Sequence, residues 1–113
     1  MKTPPKTRIN QRDDVLMVVY VVAAGNFVKV GIAEDINARV QVLKTHCPLP
    51  VSVEFCSERM LRPKARELEL DCHSRFSPFH SHGEWFQVSA KEVLAYLSGL
   101  GREDSPVQLR LIA

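Results

Sequence analysis

The stretch Val15 to Val22 constrains the fold more than any other part of the chain. Its residues are Val, Leu, Met, Val, Val, Tyr, Val and Val, so both faces of an extended backbone are apolar there. β-Branched side chains pack well on a pleated surface and lose freedom in a helix, which makes this stretch a strand. A strand that is apolar on both sides needs cover on both sides, so it belongs in the middle of a sheet with helices packed against it. Ala23, Ala24, Gly25 and Asn26 follow, and then a second β-rich run from Phe27 to Ile32. Gly and Asn tolerate the positive φ of a tight turn, and the two runs are expected to form a hairpin.

Downstream periodicities supply the remaining elements. Asp35 can cap a helix in which Ile36, Val40 and Leu43 recur at i, i+4 and i+7, ending near residue 46 before Cys47 and Pro48. Val51, Val53 and Phe55 alternate with polar neighbours, the period of a half-buried strand that joins the hairpin. Pro63 suits a helix start, and Ala65, Leu68, Cys72 and Phe76 make one stripe of a helix stopped before Pro78. On a neighbouring face that helix carries Arg62, Arg66, Glu69 and His73. Residues 77–84 read as loop and Trp85 to Val88 as a short extended piece. Ser89 with Glu92 forms a capping box opening a last helix through Val93, Tyr96, Leu97 and Leu100. The expected fold is α+β, a three-stranded, mostly antiparallel sheet flanked by helices. Residues 1–13 read as a flexible tail and 14–100 as the domain. Residues 101–113 read as an extension in which Val107, Leu109 and Leu111 alternate like an edge strand.

Composition narrows the function. The chain has 113 residues, 45% of them hydrophobic, enough for one core without staples. The formal net charge is +2, and Lys2, Lys6, Arg8 and Arg12 against Asp13 and Asp14 account for all of it. The folded part is therefore near neutral, which argues against a strongly basic architectural DNA binder. Cys47, Cys56 and Cys72 are odd in number and irregularly spaced, and no charged-then-apolar leader precedes them, so the expectation is a cytoplasmic protein with reduced thiols. The apolar run ending at Ala24 is too short to cross a bilayer as a helix, and no membrane partner is expected.

Polar residues stand where a sheet face expects apolar ones: Tyr20 in the first strand, Lys29 in the second, Arg39 in the first helix. Each has a structural account: a core tyrosine with a partnered hydroxyl, a lysine on an open sheet face, an arginine on a solvated helix face. Glu69 and His73, four apart on a helix, also read as an ordinary surface pair. Their order along the chain favours a functional account. Val19-Tyr20, then Val28-Lys29-Val30-Gly31-Ile32-Ala33, then Arg39, then Leu68-Glu69 with His73, then Gly83-Glu84-Trp85-Phe86 together resemble the GIY-YIG nuclease superfamily. Within it they are most similar to the phage and meiotically up-regulated branch, over about Val18 to Leu97. The chain departs from the superfamily pattern at Val18, where a glycine is usual, and at Lys29, where the second tyrosine stands. Ile32 takes a position that is basic in excision-repair relatives, and the asparagine beyond the metal glutamate has no counterpart.

The resemblance implies a DNA endonuclease using Mg²⁺ or Mn²⁺, and the residue types suit that chemistry. Hydrolysis of a phosphodiester needs an activated water, stabilised non-bridging oxygens and a cation near the leaving oxygen. Glu69 is the candidate metal ligand, one carboxylate being enough for an ion that keeps most of its waters. Arg39 is the candidate phosphate clamp, with Arg66 beside it for substrate binding. The resemblance implies that Tyr20 accepts a proton from, or orients, the attacking water. Lys29 would lower the pKa of Tyr20 or contact the phosphate. Gly31 would let the DNA backbone come close, and His73 would orient Glu69 or shuttle a proton. Trp85 and Phe86 read as a packing lid, with Glu84 reaching toward the metal side. The expected partner is DNA, duplex or single-stranded, cut by a monomer or homodimer, with specificity supplied by a protein partner. Two other readings stand beside this one: a non-catalytic DNA-binding or protein-interaction module on a degenerate copy of the fold, and a zinc-stabilised domain using His73, His80, His82 and Glu84.

Overall fold

A central hairpin organises the chain in a computed structural model that describes residues 13–103. Strand β1 (Leu16–Ala24) turns through Gly25 and Asn26 into β2 (Phe27–Ala33). Gly25 has φ of 61° and among the described residues no non-glycine has positive φ, the pattern of a II′ turn with glycine at its first central position. Helix α1 (Ile36–His46) follows, with the Asp35 carboxylate accepting from Ala38 N at 3.1 Å. Next come β3 (Ser52–Cys56), β4 (Met60–Leu61) and α2 (Arg62–Arg75), whose proline lies in its first turn. A 3-10 turn (Ser77–Phe79) leads into β5 (His80–His82), β6 (Trp85–Phe86) and α3 (Ala90–Glu103). Ser89 caps α3, its Oγ accepting from Glu92 N at 3.2 Å.

The sheet runs β3-β1-β2-β6-β5, with β4 paired to the start of β1, and all its pairings are antiparallel. The α+β class and the central place of the first strand agree with the sequence. The strand count does not: among the described residues the sheet has six strands rather than three. The three additional strands have two or three residues each, too short to show a period of two, and the β5 sequence His-Ser-His carries no hydrophobic signal. β4 and β6 are held by backbone partners distant in the chain, on β1 and β2, and β5 pairs locally with β6. The segment expected to be a loop from Ser77 to Glu84 thus contains a turn of 3-10 helix and one arm of a hairpin. The alternating segment at Val107 to Leu111, and the tail up to residue 12, lie outside the described residues.

Both faces of β1 are covered. Met17, Val19 and Val21 join Val28 and Val30 of β2, Ala65, Leu68, Cys72 and Phe76 of α2, and Val93 and Leu97 of α3 in the larger core. Tyr20, Val22 and Ala33 form the opposite cluster, with Ile36 and Leu43 of α1, Val51, Val53 and Trp85 packed on it. Val53 and Phe55 were placed on one face by their spacing, yet Val53 packs in the second cluster and Phe55 in the first. The register slips between them, Val21 facing Phe55 while Val22 faces Val53, and the extra residue Glu54 reverses the side-chain alternation.

Ser57 ends the β3 pairing and is buried. Its N–H donates to Val19 O at 2.9 Å, its Oγ accepts from Val19 N at 2.9 Å, and its hydroxyl donates to Glu58 O at 2.8 Å. Replacing Ser57 by Ala leaves a buried central-strand N–H without its partner, and is expected to cost about 1–3 kcal/mol. Urea unfolding monitored by circular dichroism checks this. An unchanged midpoint would mean that solvent reaches Val19 N.

Candidate functional site

The candidate site is a cavity of about 520 Å³ beside the C-terminal half of β2. Strand β6 pairs with β2 only at Val28 and Lys29, so the outer edge of β2 is open from Val30 onward. Helix α2 closes part of that edge, with His73 Nε2 donating to Val30 O at 2.9 Å. One turn earlier on α2, Glu69 faces the opening. Tyr20, Lys29, Gly31, Arg39, Arg66 and Glu69 all line the one cavity, contributed by β1, β2, α1 and α2. His73, the remaining residue given a catalytic role from the sequence, does not line it. His73 is instead a strut between α2 and β2, its ring 5.2 Å from that of Phe86. Its bond to a carbonyl oxygen places a proton on Nε2.

Tyr20 and Gly31 face each other across β1 and β2. A Cβ on Gly31 would lie 2.5 Å from the Tyr20 hydroxyl and 2.7 Å from Cζ. The space left by the missing side chain is therefore filled by the phenol, while Gly31 itself still borders the cavity. The ring is 2% exposed. Burial pushes the Tyr20 pKa up to about 12, against a lowering influence of Arg39 and with Glu84 and Glu69 adding to the rise. Lys29 is not among the charges that act on this phenol.

Lys29 is engaged elsewhere: its ammonium forms an ion pair with Glu84 on the turn between β5 and β6. Burial raises the pKa of Glu84, but the hydrogen bond and charge of Lys29, with His73 and Arg39, outweigh it, and the net shift is downward. Glu69 moves the other way. Burial lifts its pKa above the usual carboxylate range; His73 opposes, Glu84 adds to the rise, and Arg66 and Lys29 oppose more weakly. The residue is 8% exposed, and among the described residues no group donates a hydrogen bond to its carboxylate. A carboxylate on a largely buried residue, without donors among the described residues and opening onto a polar cavity, is the hard oxygen ligand that Mg²⁺ or Mn²⁺ takes, so the residues present fit such an ion.

No group of three or more His, Cys, Asp or Glu among the described residues is arranged to hold a metal, which removes the zinc reading based on His73, His80, His82 and Glu84. His80 instead pairs through Nε2 with Gly83 O at 2.7 Å and packs edge-on against Phe86. Cys47, Cys56 and Cys72 form no disulfide; Cys72 is a core residue, while Cys56 is only half-buried. No helix among the described residues is long and apolar enough to cross a membrane. The group that sequence reasoning undervalued is Glu84. Its nearness to Lys29 follows from the pairing of Lys29 with Trp85, which no local pattern announces.

Comparison with known families is informative on one point. Residues 17–100 match the model of the T5orf172 domain, a phage-associated domain related to endonuclease families of the GIY-YIG and HNH-like kind. No curated protein and no solved structure matches the chain.

Proposed function

The chain belongs to the T5orf172 domain family, and from that premise we propose that it is a metal-dependent DNA endonuclease of the GIY-YIG type, close to the phage and meiotically up-regulated branch. The observation that carries this reading is convergence. A buried phenol, an arginine, a lysine and a helix-borne carboxylate, drawn from positions as far apart as Tyr20 and Glu69, border one cavity large enough for a phosphate group.

Each residue then has a task that its surroundings permit. Arg39, exposed on α1, offers its planar fork to the non-bridging oxygens, and Arg66 extends the grip along the strand. Tyr20 works as a neutral phenol whose hydroxyl oxygen accepts a hydrogen bond from the attacking water and so points a lone pair of that water in line with the scissile bond. Seating the ring against Gly31 costs no reorganisation during the reaction, because Tyr20 and Gly31 already border the cavity together. His73 steadies the turn of α2 that bears Glu69 by tying it to β2. Glu69 would hold Mg²⁺ or Mn²⁺, which when bound supplies Lewis-acid stabilisation to the phosphate and the departing oxygen. The near-neutral charge of the folded part leaves sequence specificity to a dimer or a protein partner.

The test uses purified protein with supercoiled plasmid and with single-stranded DNA, in Mg²⁺, in Mn²⁺ and in EDTA. Nicked or linear product that disappears in EDTA is the expected result. Intact DNA in every condition, combined with salt-dependent binding, would replace the enzyme by a non-catalytic DNA-binding module.

A further inference from the structure

Glu84 sits where a nuclease pocket has least use for an acid. Its carboxylate pairs with Lys29 and lies within electrostatic reach of Arg39, Tyr20 and Glu69, the groups proposed above to surround a phosphate. The two partners differ in exposure: the Lys29 side chain is 12% exposed and that of Glu84 50%. An ammonium so covered is costly to leave unpaired, whereas a half-exposed carboxylate can turn to solvent at little cost. Glu84 rides on a short turn beside Gly83, in a hairpin whose β5 arm is exposed throughout.

We propose that Glu84 is a built-in anion: it occupies the phosphate position and holds Lys29 until a DNA phosphate displaces it. This inference rests on the reading of the cavity as a phosphodiester site. Exchange is balanced in charge, one carboxylate leaving Lys29 as one phosphodiester arrives, so the ammonium is partnered throughout. The cost is affinity, since the incoming phosphate gains at Lys29 only the difference between two anions. Lys29 also releases no counterion when DNA binds, because its counterion is part of the chain.

The test is binding of a short fluorescent duplex in EDTA, followed by anisotropy over a range of KCl, for wild type, Glu84→Gln, Lys29→Met and the double variant. Thermal melts of each variant verify folding. Glu84→Gln is expected to bind about tenfold more tightly, the scale of a charged hydrogen bond no longer competed for. Its plot of log affinity against log salt should steepen by about one unit, as Lys29 now sheds a counterion. Both gains should vanish when Lys29 is Met. Binding by Glu84→Gln that is absent, unchanged or weaker overturns the proposal, and so does a gain that persists without Lys29, which would be general repulsion by an acid. Cleavage is scored separately with Mg²⁺. A wild type that binds as described but never cuts loses the nuclease reading and keeps the displaced anion; one that cuts while Glu84→Gln gains nothing does the reverse.

Discussion

Glu69→Gln is expected to lower metal-dependent cleavage by about 10³-fold while raising the melting temperature. The loss follows from removing the only side chain proposed to hold the ion, whose stabilisation of transition-state charge is worth several kcal/mol. The gain in stability follows from the direction of the pKa shift. Burial, first, and Glu84 lift the Glu69 pKa above its ordinary 4.5, so the folded chain binds that proton more tightly than the unfolded chain. Protonation therefore favours the fold. The stability is fully present below the ordinary value and is lost as pH rises through the raised one. Above the raised value the ionised carboxylate is a liability, and the neutral amide of Gln removes it. Calorimetry near neutral pH should show the variant melting higher, with the difference shrinking in acid. A variant that melts lower at neutral pH, or cuts as well as wild type, would show that Glu69 is a structural acid. Stability sacrificed at a reactive position is the usual sign of function.

Gly31→Ala is expected to reduce cleavage by about 10²-fold and stability by about 1–3 kcal/mol. The backbone at Gly31 has no positive φ, so the demand here is for space alone. An added methyl would overlap the Tyr20 hydroxyl and ring carbon, and the phenol, 2% exposed, has little freedom to retreat. Tyr20→Phe separates the two effects: it should match the loss of cleavage and keep a near-native melting temperature. Because Gly31 is a positioning residue acting through that hydroxyl, adding Gly31→Ala to Tyr20→Phe should cost no further activity. Additive losses in the double variant would mean that Gly31 affects the site by another route.

These two residues mark the boundary between what local patterns reveal and what they hide. The central hairpin was legible because β1 is apolar on both faces and a Gly-Asn pair separates it from β2. The first two helices were legible because capping by Asp35, a proline in the first turn of α2 and an apolar stripe act within one or two helical turns. Tyr20, Lys29, Arg39 and Glu69 could be singled out because their types and order are unusual for surfaces that packing alone would shape. Their meeting around one cavity, however, is a property of the folded chain.

What lay beyond reading depends on groups far apart in sequence. The pair Lys29 and Glu84 spans 55 positions, and the bond from His73 to Val30 spans 43. Neither leaves a periodic trace. The short strands β4, β5 and β6 have no pattern of their own and exist because a neighbouring backbone offers hydrogen-bond partners. The protonated state of Tyr20 and the reluctance of Glu69 to ionise likewise arise from desolvation, which burial imposes and residue type cannot state. Short-range preferences, set by backbone dihedrals and side-chain periodicity, were written along the chain. Ionisation, pairing of charges and the enclosure of the cavity came from long-range packing, because they depend on which surfaces exclude water together.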